Sequence, residues 1–419
     1  MDQPATMQAV AQVRLHHMLD KAIMENLSDS VDRSQKLNIA IFLLYYFPHR
    51  TGLTLHVQSM AEEMVRRGHD VTVVTARYSN DLPRDESTHN GVRIVRLWAP
   101  IKLSRGMIMP AFPWAAYFAM RQADVVSIHT PMLETALVSL IALIAGVNVI
   151  ATHHGDLVLP NGLLNRFIRG TMFMLYKFMA QRAARLTAYS RDYAENSYYL
   201  KPFLDKVIPN YPPVEIPEPD QAAAAEMRRS WQKADGPIIG YAGRFVEEKR
   251  PDLAIRAMET VLKKYPDARL VFAGEYDIPY EGTWQVQQPL VKQYGDTLKF
   301  LGLLKDRQAL ANFYAACDVI ILPSDTECFA LVQVEAMLCG TPMVMSNIPG
   351  GRVPVKETGM GELAEQGNAQ SFGEALVKVL DNPEKYIKSR EEIESVFSFK
   401  KTMDTYESLF YTYARSQRG

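Results

Sequence analysis

Two series of short apolar runs, each alternating with segments of helical periodicity, constrain the fold of this chain most strongly. Residues 38–47 (NIAIFLLYYF) form a continuously apolar run that ends at Pro48, which is typical of a strand buried on both faces of a parallel sheet. Residues 56–67 follow with helical spacing, and Gly68 ends that segment as a C-terminal cap. Residues 70–75 (DVTVVT) form the next predicted strand. Strand, helix and strand in this order indicate a parallel sheet.

The same alternation continues through both halves of the chain. The further strands predicted in the first half are 92–97, 124–129, 147–153, 185–190 and 206–209. The strands predicted in the second half are 238–242, 269–273, 298–301, 318–322 and 342–346. A Pro-rich segment, 212–221 (PPVEIPEPDQ), separates the two series as a linker. We therefore expect an α/β protein of two doubly wound domains that face each other across a cleft, with ligands at the carboxyl ends of the strands.

The linker and the length of 419 residues predict the domain boundaries, since domains average roughly 150 residues. We expect an N-terminal extension over 1–35, a first domain over 36–212 and a second domain over 213–400. A C-terminal helix within 401–419 is expected to pack back on the first domain.

Charge, cysteine content and missing motifs exclude several functional classes. The 46 Lys and Arg residues nearly balance 47 Asp and Glu, so the net charge of -1 argues against a nucleic-acid partner. Cys317, Cys328 and Cys339 form no Cys-x-x-Cys pair, which argues against a disulfide framework or a zinc site and favours a reducing compartment. No dinucleotide fingerprint follows a predicted strand and no P-loop motif occurs, which argues against nicotinamide or flavin oxidoreductases and P-loop nucleotidases.

The sequence shows no signal for insertion into a membrane. Residues 1–20 contain no long apolar core of the kind that signal peptides have. The longest apolar run, 136–146 (ALVSLIALIAG), is shorter than the ~20 residues that span a bilayer, and we predict a buried helix there. The expected location is the cytoplasm, with the cytosolic face of a membrane as an alternative.

Two segments of the second half combine a strand end with charged residues. In 318–346, a buried strand ends at Pro323-Ser324, and a helix predicted to begin near Phe329 points its N–H groups and positive dipole end at the ligand edge of the sheet. Glu327 lies in the turn and Glu335 lies eight residues later, which suits hydrogen bonds from sugar hydroxyls. A loop carboxylate and a helix-surface carboxylate are the alternative interpretation.

The second segment, 238–254 (IIGYAGRFVEEKRPDLA), places Arg244 and Lys249 after a strand end. Two cations at this position can clamp a diphosphate. The alternative is a solvated charged loop, because Glu247 and Glu248 lie in the same loop.

Taken together, these segments resemble the signature of the family 4 retaining glycosyltransferases, which have the GT-B fold of two Rossmann-like domains. Glu327 and Glu335 match the E-x7-E motif of that family. The resemblance covers nearly the whole chain from Asn38. The matching residues are Tyr241-Ala242-Gly243-Arg244, Lys249, Pro323-Ser324, Glu327, Glu335-Ala336-Met337 and Gly340-Thr341-Pro342.

The resemblance implies a donor site in the second domain for a nucleotide sugar, UDP- or GDP-linked, and a hexosyltransferase that works with retention and without a metal or cofactor. Arg244 and Lys249 would hold the diphosphate and stabilise the leaving group. Glu335 would bind the nucleotide ribose, and Glu327 would bind the sugar hydroxyls. The backbone N–H groups that would assist Glu327 belong to Phe329, Ala330 and Leu331.

For the first domain, the resemblance implies acceptor binding and two contacts with the donor. Gly52 would let the loop after the first strand approach the diphosphate closely, and His154, at a predicted strand end, would contact the donor sugar. His129 and Asp156 are weaker candidates on the acceptor side, where Asp156 would either orient a histidine or accept a proton. The chain departs from the family at Ala330, where glycine is frequent, and the base and sugar of the donor stay open.

Two stretches without acidic residues, 97–123 and 157–185, combine basic, aromatic and Met residues. Such stretches suit an anionic membrane surface or a lipid-linked hydroxyl acceptor, and core helices with a few basic residues at the surface are the alternative. Other functions also stay open: a sugar-nucleotide epimerase or phosphorylase on the same fold, or a non-catalytic GT-B binding protein. A phosphorylase would need a lysine for pyridoxal phosphate, and no strong candidate occurs.

Overall fold

The computed structural model describes residues 35–84, 86–103, 106–157, 162–278 and 282–415, which form two compact units. Unit 1 comprises the described residues up to Pro213 and those from Lys400 onward, and unit 2 comprises Val214–Phe399. The chain passes from one unit to the other within the Pro-rich segment 212–221. Except for Gln35, the predicted N-terminal extension lies outside the described residues.

Unit 1 is built on a sheet whose strands are parallel, except for one antiparallel edge strand. Its order is β10-β9-β8-β7-β1-β2-β4-β3, with β3 antiparallel to β4, and β5 and β6 form a separate hairpin. The strands are β1 (Asn38–Phe42), β2 (Asp70–Arg77), β3 (Ser87–His89), β4 (Val92–Trp98), β5 (Ile101–Leu103), β6 (Gly106–Ile108), β7 (Val125–Thr130), β8 (Val149–His153), β9 (Arg185–Ala188) and β10 (Val207–Pro209).

Helices connect these strands, and a last helix returns to unit 1 from the end of the chain. The helices are α1 (Gly52–Arg66), α2 (Phe112–Gln122), α3 (Thr135–Ala145), α4 (Leu163–Arg182), α5 (Arg191–Asn196) and α15 (Phe399–Tyr413), with a 3-10 turn at Lys201–Phe203. Arg67, which follows α1, donates hydrogen bonds to Asp404 and Glu407 of α15 at 2.9 and 2.8 Å. These bonds anchor α15 to unit 1.

Unit 2 has a fully parallel sheet of order β13-β12-β11-β14-β15-β16. Its strands are β11 (Ile238–Ala242), β12 (Arg269–Ala273), β13 (Leu298–Gly302), β14 (Val319–Leu322), β15 (Met343–Ser346) and β16 (Gly361–Ala364). Its helices are α6 (Gln221–Trp231), α7 (Pro251–Lys264), α8 (Thr283–Tyr294), α9 (Arg307–Ala315), α10 (Leu331–Leu338), α11 (Val353–Thr358), α12 (Ala369–Asp381), α13 (Pro383–Tyr386) and α14 (Arg390–Val396), with 3-10 turns at Glu247–Lys249 and Gly295–Thr297.

Local sequence explains where several of these helices begin, and burial explains the strands. Thr51 and Thr54 form a capping box at the start of α1, and Asp220 and Asp306 accept backbone hydrogen bonds at the starts of α6 and α9. The strands of unit 2 are apolar because both faces are covered: Ile239, for example, is completely buried. The predicted architecture of two Rossmann-like α/β domains is confirmed for each unit by its sheet topology.

Several local predictions were wrong. The strand predicted over 38–47 ends at Phe42, and α1 begins at Gly52 instead of 56. Strand β16 and the β5–β6 hairpin have no counterpart in the predictions. The helix predicted to be buried over 136–146 exists as α3, but Leu140, Leu143 and Ile144 are exposed. No helix in the described ranges is both long enough and apolar enough to cross a bilayer.

Candidate active site

The topology of unit 2 places the loops after β11 and β14 side by side. Strand β11 lies between β12 and β14, so the chain leaves β11 towards one side of the sheet and returns on the other. Such a switch point opens a crevice at the carboxyl ends of the strands, where ligands of doubly wound sheets bind. The loop after β12 also packs tightly here, since a Cβ on Gly274 (φ +146°) would lie 2.0 Å from the carbonyl oxygen of Gly243.

The two loops at this switch point are tied to each other by several bonds. The backbone N–H of Asp325 donates to the carbonyl of Glu248 at 2.9 Å. Arg250 donates to the Asp325 carboxylate at 3.3 Å and to both carboxylate oxygens of Asp252 at 2.9 and 3.0 Å. Below them, the buried Tyr241 hydroxyl donates to the carbonyl of Arg244 at 3.2 Å. The loops that carry the predicted diphosphate and sugar ligands are therefore held in one arrangement.

Glu327 and Lys249 form an ion pair at the centre of this arrangement. Lys249 Nζ donates to Glu327 Oε1, and Ser324 Oγ donates to the same oxygen at 2.9 Å. The Glu327 side chain is only 8% exposed, whereas that of Lys249 is 23% exposed. Burial of a carboxylate is tolerated because both donors compensate for its lost hydration. The lysine keeps further N–H donors that Glu327 does not use.

Helix α10 starts at Leu331, four residues after Glu327 and two residues later than predicted. Ala330 precedes it with a left-handed backbone (φ +64°), a conformation in which glycine is favoured. The buried Gln333 side chain donates to the carbonyls of Phe329 and Gly351 at 3.1 and 2.8 Å, which fixes the first turn. The first N–H groups of a helix have no acceptor within it, and its dipole favours an anion there.

Glu335, the second glutamate of the E-x7-E motif, lies inside α10 and is largely buried. Arg307, at the start of α9, donates to its Oε1 at 2.8 Å, and the Tyr314 hydroxyl donates to its Oε2 at 3.0 Å. Each carboxylate oxygen can accept a second hydrogen bond. The structure therefore holds Glu335 in a fixed orientation by two groups that the sequence analysis did not identify.

The side chain of Arg244 is more exposed than that of Lys249 and is held less tightly. Its side chain is 46% exposed, and it forms an ion pair with Glu248 at 3.6 Å. A guanidinium with this exposure retains donors for an anion in the crevice. Arg244, Lys249 and the N-terminus of α10 therefore lie on the same loops at the carboxyl edge of the unit 2 sheet.

In unit 1, His129 and His154 are brought together, but in the interior. His154 Nε2 and His129 Nδ1 share a hydrogen bond of 2.8 Å, and His154 Nδ1 shares one of 2.5 Å with the Tyr189 hydroxyl. His129 Nε2 contacts Ser127 Oγ at 3.1 Å. Burial lowers the pKa of His129 and of His154 well below 6.5, and nearby imidazoles lower both further. Both rings are therefore neutral at pH 7.

His56 also belongs to this cluster, although it was not predicted as a site residue. Its ring lies 5.0 Å from that of His154, and its Nε2 is 2.9 Å from the Tyr406 hydroxyl of α15. Helical periodicity could have indicated it, because His56 shares the buried face of α1 with Met60. The other partner, Tyr406, lies 350 residues away in the chain, and no local pattern connects the two.

Asp156 contacts a histidine, as one of its two predicted roles requires, whereas Gly52 lies outside the loop predicted for it. Asp156 orients His153, not His154: their side chains are 2.9 Å apart. The same carboxylate accepts bonds from Ser197 Oγ at 2.5 Å and from the backbone of Tyr198 at 3.1 Å. Burial acts to raise the pKa of Asp156, but the contact with His153, followed by these two bonds, keeps that pKa below its usual value. Gly52 is the first residue of α1 and not part of the preceding loop.

Comparison with protein families identifies the chain from its two halves separately. The model named "Glycosyl transferases group 1" matches residues 224–395, and the model named "Glycosyl transferase 4-like domain" matches residues 51–210. Together the two models cover most of the chain. The chain belongs to the group 1 glycosyl transferases.

Relatives of this glycosyltransferase match over most of their length. An uncharacterised glycosyltransferase of Methanocaldococcus jannaschii is 27% identical over 368 residues, which cover 83% of this chain and 90% of the relative. A D-inositol 3-phosphate glycosyltransferase of Kineococcus radiotolerans is 26% identical over 380 residues, covering 79% and 83%. The predicted resemblance to glycosyltransferases of the group 1 type is thereby confirmed.

Solved structures of other glycosyltransferases share the fold. Sucrose-phosphate synthase from Thermosynechococcus elongatus superposes with a TM-score of 0.69 at 21% identity, covering 89% of this chain and 98% of that one. Anabaena HepE in complex with UDP and glucose gives a TM-score of 0.69 at 16% identity, covering 89% and 99%. At these identities the likeness concerns the fold alone.

Proposed function

We propose that this glycosyltransferase transfers a sugar from a nucleoside diphosphate sugar to a hydroxyl acceptor, with retention of anomeric configuration. The observation that carries the proposal is the Lys249–Glu327 ion pair at the switch point of unit 2, beside Arg244 and the N-terminus of α10. A buried carboxylate that is paired with Lys249, with Arg244 and a helix N-terminus nearby, suits a ligand that carries both hydroxyls and a diphosphate. The family 4 assignment and hexosyl transfer belong to this proposal.

The donor is proposed to lie along the carboxyl edge of the unit 2 sheet. Glu327 accepts hydrogen bonds from sugar hydroxyls, the N–H groups of Phe329, Ala330 and Leu331 assist, and Glu335 accepts bonds from the ribose. The bound ligands named for structural relatives, UDP and UDP-glucose in Anabaena HepE, support a nucleotide-sugar donor of this kind. A UDP- or GDP-sugar is therefore the first class to screen.

In the proposed reaction, the bond between the anomeric carbon and the diphosphate oxygen breaks, a bond from that carbon to the acceptor oxygen forms, and the hydroxyl proton of the acceptor passes to the leaving diphosphate. Negative charge grows on the leaving diphosphate, and Arg244 and Lys249 are placed to stabilise it. Donors that are fixed before the reaction supply this stabilisation without reorganising, which makes such groups worth about 10²–10³-fold in rate. We propose that this charge stabilisation is supplied by the two cations without a metal ion.

The acceptor is proposed to bind unit 1, and a lipid-linked hydroxyl is the acceptor class that its acid-free helices favour. The name of the D-inositol 3-phosphate glycosyltransferases points to a different class, a phosphorylated polyol, and this class is the second candidate for the acceptor. Contact of His154 and Gly52 with the donor, and the acceptor roles of His129 and Asp156, stay predictions. The internal bonds of His154 make it a group that is held neutral and fixed in place.

A screen of nucleotide sugars tests the proposed function. The purified chain is incubated with UDP-, GDP- and ADP-sugars in buffer containing EDTA, and release of the nucleoside diphosphate is followed with and without candidate acceptors. We expect one donor class to be consumed, and Glu327→Gln to reduce its consumption by orders of magnitude. Consumption of no nucleotide sugar under any acceptor condition, or an unaffected Glu327→Gln variant, would contradict the proposal and favour a non-catalytic binding protein.

A further inference from the structure

Three neighbouring helices of unit 1 expose large apolar side chains on one surface. Helix α3 packs between α2 and α4. Most of the large apolar residues exposed among the described residues of unit 1 belong to these three helices: Trp114 and Phe118 of α2, Leu140, Leu143 and Ile144 of α3, and Leu163, Phe167 and Met174 of α4. We call this set the apolar face. Contiguous exposed apolar surface of this kind marks an interaction site more often than isolated exposed residues do.

The spacing along each helix shows that the apolar face is organised. In α2, Trp114 and Phe118 are four residues apart, and in α3 the exposed residues are separated by three and four positions, so each pair occupies one side of its helix. In α4, the exposed Leu163 and Phe167 are four residues apart, and Met174 follows eleven residues after Leu163, which is about three turns. Phe167 is 73% exposed and Leu143 is 69% exposed.

An apolar groove of about 670 Å³ lies within the same helices. Its walls come from the start of α2, from α3 and from the middle of α4, including Phe112, Leu137 and Phe178. Glu134, directly before α3, is its one polar lining residue among those described, and the carboxylate oxygen Oε2 of Glu134 is buried without a hydrogen-bond partner. A groove of this composition suits a hydrocarbon chain and not a polar ligand.

The charged residues on the three helices of the apolar face have one sign. Helices α2, α3 and α4 contain five basic residues and no acidic one. On α4, the exposed Arg166 and Lys177 lie about 60–80° around the helix from the stripe of Leu163, Phe167 and Met174. Basic side chains that border an apolar stripe are the arrangement by which helices lie on anionic lipid headgroups, with the apolar residues inserted below them.

We infer that the apolar face of unit 1 docks on an anionic lipid membrane, with the side chains of α2, α3 and α4 inserted and the basic residues of α4 on the headgroups. Docking itself does not depend on sugar transfer. Its link to a lipid-linked acceptor rests on the proposed function, because a membrane-docked transferase would meet such an acceptor there. The charge pattern favours lipid over a second copy of the chain, since two identical faces would bring basic helices together and repel each other.

Vesicle sedimentation with the full chain tests the inference without any donor or acceptor, so its outcome is independent of whether sugar transfer occurs. Vesicles of phosphatidylcholine alone are compared with vesicles that also contain phosphatidylglycerol, at low and at high salt. We expect binding to the anionic vesicles that weakens with salt. Leu143→Glu/Ile144→Glu should lower the bound fraction about tenfold or more, because two charges would enter the hydrocarbon region.

Matched variants in unit 2 control for surface hydrophobicity and charge. Val286, 70% exposed on α8, is changed to Glu, and Arg166→Glu/Lys177→Glu is compared with Arg229→Glu/Lys292→Glu, a second pair of exposed basic residues. The unit 2 variants should bind anionic vesicles as the wild type does, whereas Arg166→Glu/Lys177→Glu should lose most binding. Thermal unfolding and circular dichroism check that each variant is folded.

Three outcomes would overturn the inference. The first is equal sedimentation with neutral and anionic vesicles. The second is a wild-type dimer in analytical ultracentrifugation that Leu143→Glu/Ile144→Glu converts to a monomer in the absence of vesicle binding, which would assign the face to a second copy. The third is vesicle binding that survives Leu143→Glu/Ile144→Glu and is lost on removal of residues 1–34, which would assign the anchor to that segment.

Discussion

The Nζ of Lys249 donates a hydrogen bond to Oε1 of Glu327, although the two residues are 78 positions apart in the chain. The bond joins the loops that follow two adjacent strands of unit 2, β11 and β14, at the point where the strand order reverses. Ser324 donates to the same oxygen. A buried carboxylate is thereby compensated before any ligand arrives, and the cation that compensates it also faces the crevice.

The contact between Lys249 and Glu327 predicts that their substitutions have non-additive effects on the rate of sugar transfer. Lys249→Met and Glu327→Gln should each lower sugar transfer by about 10²-fold or more, since each removes a group that contacts the donor. The double variant should lose less than the product of the two factors, because residues in contact are not additive. Initial rates at saturating donor measure the cycle, and Lys263→Met, at an exposed position on α7, is the control. A double variant whose rate loss equals the product of the two single losses would show that Lys249 and Glu327 act independently.

Ala330 predicts a stabilising substitution inside the site. Its φ of +64° costs an L-residue roughly 1–2 kcal/mol, and glycine adopts this conformation without that cost. The greater entropy of glycine in the unfolded chain offsets part of the gain. We expect Ala330→Gly to raise the free energy of unfolding by up to about 1 kcal/mol in denaturant titrations. The control Ala336→Gly, inside α10, should lower the free energy of unfolding. An Ala330→Gly variant that is less stable than the wild type would contradict the left-handed backbone at this residue.

The fold was predictable because the central strands are buried on both faces and are therefore continuously apolar. Short edge elements were not: β16 (Gly361–Ala364) begins with glycine and carries a glutamate, so it lacks that pattern. Apolar character also says nothing about what covers a segment. Helix α3 was predicted to be buried because it is apolar on every side, yet Leu143 and Ile144 are exposed.

For the candidate site, local sequence indicated the charged residues and their strand ends, but not their partners. Lys249 and Glu327 were predicted as separate ligands of the donor, and their bond to each other depends on which strands are neighbours. Arg307 and Tyr314 were missed for the same reason, since they reach Glu335 from a different helix. The only local indication for Arg307 is its position shortly after the end of strand β13.

Glu134 predicts a pH dependence of stability. Burial raises its pKa to about 7, well above that of the carboxyl in the unfolded chain. The folded protein therefore keeps the proton where the unfolded chain has lost it, so stability falls as pH rises from about 4.5 to about 7 and stays reduced above. Glu134→Gln should be more stable than wild type at pH 8, by on the order of 3 kcal/mol, and equal to it at pH 4.

Denaturant unfolding at a series of pH values measures this difference. Glu259→Gln, at an exposed position on α7, is the control and should show no such trend. A Glu134→Gln variant whose stability relative to wild type is the same at pH 4 and pH 8 would show that the carboxylate is not held in an apolar environment.

The histidine cluster predicts that unit 1 loses stability in mild acid. Burial lowers the pKa of His56 to about 3, and that of His129 and His154 well below 6.5. These groups are neutral in the folded state but take up protons in the unfolded chain below pH 6.5, so stability is complete above that pH and falls as pH decreases. Each such histidine contributes about 1.4 kcal/mol per pH unit in that range.

Hydrogen exchange of unit 1 peptides between pH 7 and pH 5, corrected for intrinsic rates, measures this loss. His129→Gln should reduce the slope by one proton, because glutamine cannot titrate. Protection in β7 and β8 that is unchanged over this range would contradict a buried, neutral cluster.

Calorimetric titration of UDP and GDP into the chain in the presence of EDTA tests whether the switch point of unit 2 binds a diphosphate. We expect one of the two nucleotides to bind without a divalent metal. Arg244→Ala and Lys249→Ala should each weaken this binding about tenfold or more, while Lys263→Ala should not. Absence of binding by either nucleotide, or equal affinities in all four proteins, would contradict the assignment of the unit 2 switch point as the diphosphate site.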